Sequence, residues 1–87
     1  MNQPAGMPEP SFGVFVDQLF AQGMIELGEI PNPITKVKGV ALTRAQFTIK
    51  MLEILREKTK ESLEPEEESH LDAAILELMS RYARINP

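Results

Sequence analysis

Glu67-Glu68-Ser69-His70 sets a carboxylate and an imidazole three residues apart. This Glu-x-x-His spacing is the half-site that carboxylate-bridged di-metal bundles carry on their helices. The two groups share a helix face, and a second copy of the chain would supply a second half-site. A complete site also needs glutamates from another helix, and the N-terminal half offers only Glu26 and Glu29, both late in their segment. Glutamates opening a helix are expected in any case, because they complement the positive end of its dipole. The pattern therefore reads first as a solvated acidic helix start, with a metal-carboxylate protein as a minor alternative. Ser69 and His70 are adjacent, and neighbouring positions on a helix do not face each other, so they form no dyad. The chain has no cysteine, which excludes thiol catalysis and thiolate zinc sites. No glycine-rich phosphate loop and no nucleophile elbow occurs. The expectation is a protein that is not an enzyme, with no catalytic, metal or cofactor-binding residue to name.

The elements that would position any such groups are helical. Ser11 suits an N-cap, and Phe12, Phe15, Val16, Leu19, Phe20, Gly23, Met24 and Leu27 repeat at helical period. Gly23 inside that stripe predicts a close approach by a neighbouring element. Thr43-Arg44-Ala45-Gln46 matches a capping box and predicts a second helix from Thr43. Pro65, at a first helical position, opens a third helix whose stripe is Leu71, Ala74, Ile75, Leu78, Met79, Tyr82 and Ile85, with Leu76 off it. The fold class is all-α: a small three-helix domain with a long proline-containing loop between helices 1 and 2 and an antiparallel hairpin of helices 2 and 3. Residues 1–10 read as a disordered tail without a signal peptide's charged and apolar regions, and 11–87 as a single helical domain.

Two of these helices have more apolar faces than three helices can cover. The second carries Ala45, Ile49, Leu52 and Leu55 on one side and Phe47, Met51 and Ile54 nearly opposite. The first carries Val14, Ala21 and Ile25 behind its main stripe. An 87-residue domain is only marginally stable by itself. Leaving Phe47, Met51 and Ile54 in water would forgo roughly 1.5–3 kcal/mol for each full burial. Val14, Ile25, Phe47, Met51 and Ile54 are thus the candidate interaction surface, and a homo-oligomer, most simply a two-fold dimer, is the expected use of it.

The net charge of −4 argues against nucleic acid as the main partner. The cations nevertheless collect between Lys36 and Lys60, and the stretch from Glu61 to Glu77 is acidic. No apolar run approaches the roughly 18 residues of a membrane span, so the protein is expected to be cytoplasmic, with no membrane partner. Between the first two helices lies Leu27-Gly28-Glu29-Ile30-Pro31-Asn32-Pro33-Ile34-Thr35-Lys36-Val37-Lys38-Gly39. Gly28 suits a left-handed helix stop, and Pro31 and Pro33 bias Ile30 and Asn32 towards extended backbone. Gly28, Pro31, Asn32 and Pro33 are read as a structural loop, a strap in preference to a ligand-binding loop, whose anchors are Ile30, Ile34, Val37 and Val40.

The run Leu27 to Pro33, then Leu42, Ala45, Ile49 and Leu52, then Glu57-Lys58-Thr59-Lys60, resembles a family of small bacterial proteins classed as a domain of unknown function. Leu63, Glu67, Leu71, Leu78, Arg81 and Tyr82 continue the likeness, which covers about Phe12 to Arg84. The resemblance implies a short helical cytosolic protein with no established activity and, in some relatives, a gene beside translation genes. Members usually follow the Lys-Thr-Lys with Gly-Asn, where this chain has Glu61-Ser62, which points to a longer second helix here. The functional expectation is a self-associating helical module that acts by docking on another cytoplasmic protein. The alternative is an accessory factor of the translation machinery, touching RNA through the Lys36–Lys60 segment.

Overall fold

A computed structural model describes residues 6–86; of the expected tail, residues 1–5 lie outside the described part. Three helices follow one another, α1 (Phe12–Glu26), α2 (Leu42–Lys58) and α3 (Pro65–Ile85), and each packs on both others. Glu26 on α1 meets Thr48 on α2, Arg56 on α2 meets Asp72 on α3, and Asp17 on α1 meets His70 on α3. Those pairings make an up-down-up arrangement in which α2 runs against its two neighbours. The predicted all-α fold and its helix 2–helix 3 hairpin are present.

Local chemistry sets the helix ends. Ser11 caps α1, its Oγ accepting the Val14 amide at 3.1 Å. At the other end Gly28 stands at φ +77°, its amide donating to Ile25 O and that of Glu29 to Met24 O. This is the glycine stop anticipated above, completed by a six-residue hydrogen bond. The capping expectation for α2 fails. The Ala41 amide is committed to Glu26 O at 2.7 Å, which fixes the chain there and starts the helix at Leu42, with Thr43 inside its first turn. The capping box occurs at α3 instead, where the Glu64 amide donates to the Glu67 carboxylate at 2.8 Å and Pro65 opens the helix. Nor does α2 run long. Thr59 closes it by donating its hydroxyl to Leu55 O, and Ser62 N turns back to Thr59 O, so a threonine and a serine do what glycine would do by conformation.

The core consists of Val16, Leu27, Ala45, Ile49, Leu52, Leu71, Ala74 and Leu78. Gly23 explains how α1 and α3 come so close: a Cβ built there would stand 2.9 Å from both Leu78 methyls. Phe15 and Met79, assigned to core stripes by period, are 46% and 44% exposed, because they fall at the edges of arcs wider than the facing helix. Phe15 settles for a tilted contact with Phe12, ring centroids 6.4 Å apart.

The loop between α1 and α2 overturns one expectation. Ile34, Val37 and Val40 are 87%, 62% and 57% exposed and Ile30 is also exposed, so they do not anchor a strap. The loop is held by polar turn chemistry instead. The Asn32 side chain accepts the amides of Ile34 and Thr35, its backbone amide donates to Val37 O, and its carbonyl accepts from Lys36. Lys36 adopts φ +65° to close this turn. With its backbone satisfied locally, the loop needs no apolar contact, and its one extended pairing is a single bridge between Leu27 and Val40.

Candidate functional site

Helix α2 has two faces of opposite fate. Ala45, Thr48, Ile49 and Leu52 are buried between α1 and α3, whereas Phe47, Met51 and Ile54 on the far side are 66%, 47% and 56% exposed. Spacings of four and three residues align the latter as one ridge along the helix. Beside it, on the α3 side, a groove of about 310 Å³ is lined by Gln46, Ile49, Lys50, Glu53, Met79, Tyr82 and Ala83. Gln46, Lys50 and Glu53 line the groove between the ridge and the apolar side chains of Ile49, Met79 and Tyr82.

Val14 and Ile25 are only half-buried, and the structure does not bring them to that ridge. Val14 borders a cleft with Glu66, Glu67 and His70 at the start of α3, and Ile25 borders a cleft beneath the loop with Glu26, Thr35 and Arg44. In the loop, Gly28 and Asn32 carry the cap and the turn described above, and Pro31 and Pro33 are exposed on either side of Asn32.

Sequence reasoning missed a buried polar seam. Glu26 is 8% exposed and Thr48 6%, and the Thr48 hydroxyl donates to Glu26 Oε1 at 2.6 Å while Gln22 Nε2 donates to Oε2 at 2.8 Å. Both carboxylate oxygens are satisfied, so this group locks α1 to α2. The only available signal was Gln22 four residues before Glu26; the partner Thr48 lies 22 residues away.

Glu67 and His70 do not converge on a common ligand. The Glu67 carboxylate is engaged in the α3 cap, and His70 Nε2 lies 2.7 Å from Asp17 Oδ1. Among the described residues no three histidine or acidic side chains gather as metal ligands would.

The cations of the middle third do not form one strip. Arg56 is held by Asp72 at 2.6 Å and Glu68 at 3.1 Å, and the Asp72 hydrogen bond is the main reason its guanidinium is pushed above its ordinary pKa. Lys60 pairs with Glu57, and Arg81 bridges Glu77 and Glu29, the Glu77 hydrogen bond raising its pKa most. Lys36, Lys38 and Arg44 make no ion pair among the described residues. The topology therefore polarises the molecule. The end holding the loop and the C-terminus of α3 carries Lys36, Lys38, Arg44, Arg81 and Arg84 against Glu26, Glu29 and Glu77. The opposite end, around the turn from α2 to α3, carries the seven carboxylates from Glu57 to Asp72 against Arg56, Lys58 and Lys60.

Residues 9–84 match the family described as Domain of unknown function (DUF1844). The chain belongs to this family. The match spans all three helices and the loop, so the buried seam, the polarised ends and the apolar ridge all fall within the family domain. No curated protein and no solved structure matches the chain. No helix among the described residues is long and apolar enough to cross a membrane.

Proposed function

We propose that this member of the family is a non-enzymatic helical module of the bacterial cytoplasm, which self-associates and acts by docking on another protein. The observation that carries this reading is the ridge Phe47-Met51-Ile54, apolar and open beside a groove, while the same helix buries Ala45, Ile49 and Leu52 on its other face. A single exposed apolar residue is ordinary; an aligned set with an adjoining groove is the kind of surface that partners cover. Polar groups that could have served catalysis are occupied in holding the fold: Glu26 in the seam, Glu67 in a cap, His70 against Asp17. The test is affinity capture from the native cell with the wild-type chain and with Phe47→Asp. A specific protein retained by the first and lost by the second is expected, and identical recovery by both would refute the reading.

A second reading, an accessory factor of translation that touches RNA, is favoured by the unpaired Lys36, Lys38 and Arg44 at the loop end. It is weakened by the engagement of Arg56 and Lys60 with carboxylates. Co-sedimentation with ribosomes at low salt, lost when Lys36 and Lys38 become glutamate, is its expected sign. Absence of binding at low salt discards it.

A further inference from the structure

We infer that the copy covering this ridge lies with its α2 antiparallel to the first α2, about a two-fold axis passing beside Met51. The inference rests on the self-association proposed above and adds the partner's orientation and register. Phe47, Met51 and Ile54 span about 10 Å of helix. Reversing one helix about Met51 sets Met51 against the partner's Met51 and brings Phe47 within about 1.5 Å of the level of the partner's Ile54. Every level of the ridge then meets a large apolar side chain, which an isologous contact requires.

Charge selects the same geometry. The antiparallel arrangement sets the cation-rich loop end of one protomer beside the carboxylate-rich turn end of the other. A parallel arrangement would stack like ends. The ridge is short, and two 17-residue helices cover less than the roughly 800 Å² per partner of a standard interface. The dimer is accordingly weak and reversible.

The absence of cysteine gives a clean test of register. Met51→Cys should cross-link to itself under mild oxidation or with a short bismaleimide, and Gln18→Cys, exposed on the outer side of α1, should not. Mixing Phe47→Cys with Ile54→Cys should cross-link the two variants under mild oxidation while neither cross-links to itself, and in sedimentation velocity raising the salt should weaken the dimer by screening its unlike ends. All four residues are exposed, and helical circular dichroism checks that each variant remains folded. A chain that stays monomeric to several hundred micromolar overturns the inference together with the self-association beneath it. A dimer in which Phe47→Cys cross-links to itself and not to Ile54→Cys overturns the antiparallel register alone.

Discussion

The two faces of α2 are made of similar residues and end in opposite surroundings. Ala45, Ile49 and Leu52 disappear between α1 and α3, with Leu52 fully buried, while Phe47, Met51 and Ile54 stay open although none is smaller than alanine and Phe47 is the largest of the six. Size and hydropathy do not separate these sets. What does is where α1 and α3 can reach, and the contacts that fix them there: the Glu26–Thr48 bond on one side and the Arg56–Asp72 pair on the other. Both lie on the buried half of α2. They act as polar fasteners that choose which apolar face becomes core, and the other face stays exposed.

That contrast can be broken or sharpened by mutation. Leu52→Ala should cost about 2–5 kcal/mol in denaturant unfolding, since it empties a fully buried site. A cost like that of Phe47→Ala would erase the distinction between the faces. Glu26→Ala should cost about 1–3 kcal/mol by leaving the Thr48 hydroxyl and the Gln22 amide without their acceptor. A double-mutant cycle with Thr48→Val should give a coupling of about 1 kcal/mol, and additivity would show that the seam does not fasten the helices. Replacing Pro31 and Pro33 by alanine should lower the melting temperature by a few degrees, each proline contributing about 0.4–1 kcal/mol through the unfolded chain. Smallest of all, Phe47→Ala should leave the stability of the dilute protein within about 0.5 kcal/mol of wild type. Light scattering at high concentration should nevertheless show it more monomeric. A large loss of stability at low concentration would place Phe47 in the protomer core after all.

Much of the fold was legible because its signals are local. Ser11, Gly28 and Pro65 mark helix ends by chemistry that acts within a few residues, and all three are used as read. Gly23 also signalled correctly, since a glycine in an apolar stripe has little other use than close approach. The misreadings share the opposite cause. Thr43-Arg44-Ala45-Gln46 is a sound capping pattern, but the Ala41 amide bonds to Glu26 O across the loop and shifts the helix start by one residue. Ile34 and Val37 looked like anchors because apolar residues in a loop usually pack, whereas Asn32 satisfies the loop's amides and leaves them exposed. Of the candidate surface, the three α2 positions were legible together because they share one helix face. Val14 and Ile25 face clefts defined by other elements.

By itself, then, the sequence determined three helices, their approximate ends, the doubling of apolar faces on α2 and the lack of any thiol or phosphate-loop chemistry. Each of these follows from composition or from periods and caps spanning a few residues. Only the tertiary structure decided which face of α2 is core, that Glu26 is a buried fastener and not a surface carboxylate, and that the cations of the middle third divide between the two ends of the molecule. Those outcomes depend on contacts between residues far apart in the chain, such as Glu26 with Thr48 or Asp17 with His70. Which of two similar apolar stripes is covered is set by the position of neighbouring helices, and nothing within a single stripe encodes that.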